Sequence, residues 1–124
     1  MTSDRALVSV VDDDESLRES LPDLLEALGF VARAFSSAEQ FLASDALSQT
    51  RCLILDITMP GMSGPDLQEE LKRRGHAVPI VFVTANGDAG IRPRLMHLGA
   101  VECLFKPFSE AALQAALAAA LRVR

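Results

Sequence analysis

Five short, mostly apolar runs alternate along this chain with segments whose leucines recur at helical spacing. The runs cover residues 6–11, 30–35, 52–56, 78–83 and 101–105. Strands that are apolar throughout must be buried on both faces. That requires a parallel sheet with helices on each side, where right-handed crossovers place them. The expected fold class is therefore α/β, a doubly wound (βα)5 arrangement around a five-stranded parallel sheet. At 124 residues and 49% hydrophobic content, residues 1–124 have the length of one domain and enough apolar material for a single core.

The helical segments carry their own signals. Leu17, Leu21, Leu24, Leu25 and Leu28 form the first stripe and stop at Gly29; Pro22 falls inside it and should kink the helix. Ser36 and Ser37, followed three positions on by Glu39 and Gln40, offer a capping box for a second helix reaching about residue 47. Leu67 and Leu71 mark a third that ends at Gly75, with Pro65 suited to its first turn. A weaker fourth has Gly90 and Pro93 near its start and ends at Gly99. The fifth begins near Ser109 and carries Leu113, Leu117 and Leu121 among alanines of high helix propensity.

Several function classes are excluded or disfavoured at this level. The net charge of −5 argues against a nucleic-acid-binding surface, and the basic cluster Lys72, Arg73 and Arg74 falls at a helix end, where it complements the dipole. No basic segment followed by an apolar stretch opens the chain, and no run of about 18 apolar residues occurs, so the expectation is a soluble cytoplasmic protein with no membrane association. Cys52 and Cys103 lie in apolar runs without the paired spacing of metal or redox sites and read as buried free thiols. His76 and His97 match no site and read as surface or helix-end residues.

In an open α/β sheet, ligand sites form beyond the carboxyl ends of the strands. The polar residues there are Asp12 and Asp13 after the first strand, Asp56 at the end of the third, Thr84 after the fourth and Lys106 after the fifth. Three carboxylates held together repel one another unless a cation neutralises them. An all-oxygen cluster with no His or Cys suits a hard divalent ion, Mg²⁺ or, by the same donor preference, Mn²⁺. Asp14 and Glu15 are assigned instead to the first turn of the helix, where the dipole favours acids. A charge directly after the buried run Leu53 to Leu55 needs a partner, which makes Asp56 the most informative of the set.

The doublet Asp12 and Asp13, Asp56 followed by Met59, Pro60 and Gly64, the pair Thr84 and Ala85, and the triplet Lys106, Pro107 and Phe108 together resemble the receiver domain of two-component response regulators. The resemblance covers essentially the whole chain. The segment Phe35-Ser-Ser-Ala-Glu-Gln-Phe-Leu42 further resembles receivers of the FixJ type, whose output domain is a helix-turn-helix DNA binder. The resemblance implies a flavodoxin-like sheet of strand order 2-1-3-4-5. It also implies that Asp56 is the phosphoacceptor, taking a phosphoryl group from a sensor histidine kinase or a phosphotransfer protein.

On the same basis Asp13 and Asp56 contact the metal directly, Asp12 partly through water, and the Thr58 backbone carbonyl adds a ligand. Lys106 then pairs with a phosphoryl oxygen and the Thr84 hydroxyl donates to another. Lys106-Pro107 is expected to be cis. Output passes through the face of the fourth helix, fifth strand and fifth helix, commonly by phosphorylation-dependent homodimerisation, with no direct nucleic-acid binding by this domain.

Three departures stand out. Where relatives carry an aromatic switch residue three positions before the lysine, this chain has Cys103, and Phe105 is the candidate substitute; both are expected to face the surface beside the last two helices. Residues 87–93 are rich in helix breakers, suggesting a short or mobile fourth helix. Thr58 and Asn86 occupy positions that tune phosphate lifetime in the family. Two rivals are weaker. An aspartyl-nucleophile phosphohydrolase needs a second acid where Thr58 stands, and a degenerate scaffold receiver would not retain the full set of acids, Thr84 and Lys106.

Overall fold

The computed structural model describes residues 5–85 and 90–122. Five strands, β1 (Leu7–Val11), β2 (Val31–Phe35), β3 (Thr50–Asp56), β4 (Ile80–Thr84) and β5 (Glu102–Phe105), alternate with five α-helices. These are α1 (Glu15–Ala27), α2 (Ala38–Leu42), α3 (Gly64–Arg73), α4 (Ile91–His97) and α5 (Glu110–Arg122). All pairings are parallel and the sheet order is β2-β1-β3-β4-β5. The chain thus winds outward from β1 to β2, then returns to the other side through β3. The ends of β1 and β3 form the switch point of the sheet.

Helix boundaries follow local chemistry. Asp14 caps α1 by accepting from the Ser16 amide at 3.0 Å. Pro22 lies within α1, which runs on through it to Ala27. Ser63 and Asp66 form a reciprocal capping box at α3, and Pro65 occupies the first turn. The second helix is shorter than its sequence signals suggest and does not reach residue 47. The Ser44 hydroxyl donates to the Phe41 carbonyl at 2.8 Å, and its oxygen accepts from the Ala46 amide at 3.2 Å. A 3₁₀ turn, Asp45–Ser48, therefore replaces the remainder. The fourth helix is short, as its breakers suggest: Gly90 stands at its N-cap with no side-chain cap.

The sheet separates two apolar layers. One, against α1 and α5, includes Val8, Val10, Leu21, Leu25, Ile54, Val81, Val83, Leu113 and Leu117. The other, against α2, α3 and α4, includes Val11, Phe35, Phe41, Leu53, Leu55, Leu67, Phe82 and Leu95. Each fully buried Leu, Ile or Phe contributes roughly 1.5–3 kcal/mol by removal from water, an upper figure because the unfolded chain is already partly collapsed. Cys52 and Cys103 are both buried free thiols. The expectation that Cys103 faces the surface is corrected: it is 3% exposed and belongs to the layer containing Phe82, Leu95 and Ala100. The side chain is small enough for α4 to close over it.

No helix among the described residues is long and apolar enough to cross a membrane. One glycine is demanded by close approach. A Cβ on Gly64 would lie 2.3 Å from the Asp56 carbonyl oxygen and 3.0 Å from the Phe82 ring. Gly64→Ala should lower unfolding stability by about 1–3 kcal/mol, since backbone must shift to admit the methyl group. Urea denaturation checks this, and an unchanged midpoint would contradict the packing argument.

Candidate metal and phosphoryl site

The carboxyl ends of four strands converge on one edge. Asp12 follows β1, Asp56 and Thr84 end β3 and β4, and Lys106 follows β5. Strand pairing sets their alignment: Val11 lies beside Leu55, Asp56 beside Val83, and Thr84 beside Phe105. Backbone bonds extend the register past the strands, with the Lys106 amide on the Thr84 carbonyl at 2.8 Å and the Ile57 amide on the Val83 carbonyl at 3.3 Å. Asp12, Asp56 and Thr84 are buried, whereas Asp13 and Thr58 are exposed.

One carboxylate oxygen from each of Asp12, Asp13 and Asp56 lies within 4.8 Å of the others. Asp12 is fully buried, and its Oδ1 accepts from the Asp14 amide at 2.9 Å. Its Oδ2 lies 2.8 Å from Lys106 Nζ, which pairs with it by charge and proximity, and it has no other partner among the described residues. Three carboxylates gathered about one lysine leave an excess of negative charge and an all-oxygen donor set that fits a hard divalent cation. The carbonyl of Asp12 accepts from Arg18 Nη1 at 3.2 Å, which ties the loop to α1. Sequence reasoning missed this contact, and Arg18 carries no motif that would have marked it.

Burial first, then the charge of Asp12, push the Asp56 carboxyl from 3.8 up to about 7; Asp13 adds to the rise and Lys106 opposes it. Burial pulls the Lys106 ammonium down, but its contact with Asp12 and the negative charge of Asp12 and Asp56 outweigh that and hold it above its ordinary value. Burial also raises both thiols, Cys52 to about 12, which makes them poor nucleophiles.

The remaining expected residues take these places. Ala85 is exposed, Phe105 is half-buried, and the peptide between Lys106 and exposed Pro107 is cis. Asn86, with residues 87–89 of the breaker-rich stretch, lies outside the described residues. His76 is half-buried and His97 is exposed. Lys72 and Arg73 occupy the last turn of α3, where Arg73 and the capping Arg74 both pair with Glu70. On α4, Arg92 pairs with Glu102 of β5.

Residues 8–118 match the profile of the family described as "Response regulator receiver domain". Nodulation protein W of Bradyrhizobium diazoefficiens is 44% identical over 118 residues, which are 95% of this chain and 52% of that protein. The transcriptional regulatory protein FixJ of Azorhizobium caulinodans is 40% identical over 114 residues, 92% of this chain and 54% of that protein. Among solved structures, FixJ-N superimposes with a TM-score of 0.85 at 33% identity, covering 96% of this chain and 95% of that one. The chain spans about half the length of nodulation protein W and of the Azorhizobium FixJ.

The raised carboxyl of Asp56 gives a pH signature. The native protein holds that proton more tightly than the unfolded chain, so the contribution of Asp56 to stability is complete below pH 3.8 and is lost as pH rises through about 7. In metal-free buffer, Asp56→Asn should therefore gain stability relative to the parent between about pH 4 and pH 7, with the difference levelling off above that range. Denaturant unfolding of both proteins across this window checks it. A difference independent of pH would mean that Asp56 titrates normally.

Proposed function

The chain belongs to the response regulator receiver domain family of two-component systems, and we propose that residues 1–124 act as a single receiver that accepts a phosphoryl group on Asp56 in a Mg²⁺-dependent reaction. The observation that carries this reading is the meeting of three carboxylates with Lys106 and Thr84 at one sheet edge. Asp12, Asp13, Asp56 and the Thr58 carbonyl would hold the ion. When bound, Mg²⁺ supplies positive charge that neutralises the acids and the incoming phosphoryl oxygens.

A carboxylate oxygen of Asp56 attacks phosphorus; the new O–P bond forms as the N–P bond of a kinase phosphohistidine breaks, and the imidazole nitrogen keeps the electron pair. The protein's contribution is alignment and charge. Lys106 exchanges part of its pairing with Asp12 for a phosphoryl oxygen, acting as a compact point charge. The Thr84 hydroxyl donates to a second oxygen, drawing Thr84 and Ala85 inward. The α4, β5 and α5 face then changes its fit to a partner or a second copy, with Phe105 as the apolar contact. Cys103, small and covered, takes no part as a swinging side chain.

This assigns the domain a regulatory role in the cytoplasm, with a sensor histidine kinase or phosphotransfer protein upstream. Its own chemistry is limited to gaining and losing its phosphoryl group. Relatives such as FixJ are named as transcriptional regulators, which supports control of transcription as the output of a longer protein. Direct contact with nucleic acid is not assigned to this domain, whose net charge is −5.

Two measurements test the reading. Asp56→Asn should abolish labelling by a small acyl-phosphate donor while leaving the circular dichroism spectrum unchanged; undiminished label, or label mapped to another residue, would remove Asp56 from the role. Mg²⁺ should raise the melting temperature, by the equivalent of about 2.7 kcal/mol at a hundredfold excess over its dissociation constant. Asp13→Ala should remove most of that gain. A parent protein whose melting is insensitive to Mg²⁺ would show that the acids hold no ion.

A further inference from the structure

The stretch from Phe35 to Leu42 touches both loops that carry the acidic cluster. At its start, the Phe35 carbonyl accepts from the Asp12 amide at 3.1 Å. Farther along, Glu39 Oε2 accepts from the Met62 amide at 3.1 Å, in the loop that leaves Asp56 and contains Thr58. Gly61 makes the second contact accessible. Its φ of +77° is one that side chains rarely adopt, and a Cβ there would stand 3.0 Å from the Glu39 carboxylate.

The second helix is fixed well enough to aim Glu39. Ser37 Oγ accepts from the Gln40 amide at 3.1 Å, and Gln40 Oε1 accepts from the Ser36 amide at 3.0 Å and the Ser36 hydroxyl at 2.9 Å. Ala38 and Phe41, on either side of this turn, are fully buried. The far end of the acceptor loop is anchored by the Gly64 amide on the Ile57 carbonyl at 2.9 Å. Besides the apolar packing of Met59 and Met62, the Met62 amide is a point at which a side chain from another element restrains the loop between its two ends.

We propose that Glu39 is a positioning residue for the acceptor loop: by holding the Met62 amide it keeps Thr58 and Asp56 disposed toward one ion, so that α2 sets metal affinity and the rate of phosphoryl acceptance. This rests on the reading of the acidic cluster as a Mg²⁺-dependent phosphoacceptor site. Glu39 could also act merely as one more negative charge near the cation. Three substitutions separate the two effects. Glu39→Gln removes the charge and keeps an acceptor oxygen of the same reach. Glu39→Asp keeps the charge and shortens the reach, and Glu39→Ala removes both.

The experiment measures Mg²⁺ affinity by calorimetry, labelling rate with an acyl-phosphate donor at saturating Mg²⁺, and hydrogen exchange of the Met62 amide by NMR. A charge-assisted hydrogen bond at an exposed position lies at the low end of its range, so Ala and Asp should weaken Mg²⁺ binding roughly threefold to tenfold, slow labelling and speed Met62 exchange. Gln should stay within about twofold of the parent. Because Glu39 is exposed, the variants should fold, and should Ala fail to do so, the Asp variant carries the same reading. Unchanged affinity and labelling in Ala and Asp, with only a lower melting temperature, would reduce Glu39 to a structural tether and overturn the proposal. Gln as impaired as Ala, with Asp normal, would overturn it in favour of charge alone. A parent that binds no Mg²⁺ would instead sink the functional reading itself.

Discussion

Mutual repulsion among Asp12, Asp13 and Asp56 is the constraint to which the rest of the site answers. Two unit charges about 4–5 Å apart repel by about 3–4 kcal/mol at an effective dielectric constant of about 20, and the three carboxylates lie within 4.8 Å of one another. A fold of ordinary stability, about 5–15 kcal/mol, tolerates this only with compensation. Lys106 supplies part of it through Asp12, and proton uptake by Asp56 supplies another part when no cation is present. The site is therefore poised, since whatever brings positive charge to it relaxes several residues together.

Holding like charges together requires a rigid surround, and the backbone provides one. Asp12 is restrained by β2 through its amide, by α1 through its carbonyl, and by the Asp14 amide through its side chain. The strand carrying Asp56 is buried from Cys52 onward, and Gly64 lets the third helix start against the Asp56 carbonyl itself. The apolar layers on the two faces fix the strand ends, and the strand ends fix the acids. Hydrophobic burial thus does indirectly what no side chain at the site could do alone.

Much of this was legible in the sequence because it depends on local signals. Apolar runs and leucine spacing define strands and helices whatever the tertiary context, and the polar residue that follows a buried run is located by the run itself; Asp56 after Leu53 to Leu55 is the clearest case. What escaped was set by contacts between distant residues or by side-chain competition. The second helix ends early because Ser44 turns its hydroxyl back onto Phe41, a choice that a capping signal at the other end cannot reveal. The burial of the Cys103 thiol was legible from its apolar run, but its direction was not: it lies under α4 instead of facing the surface, because strand parity alone does not say which face a short edge strand shows to a helix. The contacts of Arg18 and Glu39 join different elements and leave no periodic trace. The capping pair of Ser63 and Asp66 was within reach, since its spacing is a recognised helix-start pattern.

The five helices are unequally anchored. α5 buries Leu113, Ala116, Leu117 and Ala120, whereas α4 buries Leu95 alone, with Ile91 and Met96 half-buried beside it. Withdrawing a single leucine from an apolar layer costs about 1.5–3 kcal/mol. That is the same scale as one hydrogen bond to a charged group, about 1.5–3 kcal/mol. A single new contact at the end of β4 is thus of the same order as the burial of Leu95, though Ile91, Met96 and the Arg92–Glu102 pair also hold α4 in place. Of the two helices, α4 is the more lightly held, because one short helix carries few apolar side chains into the core.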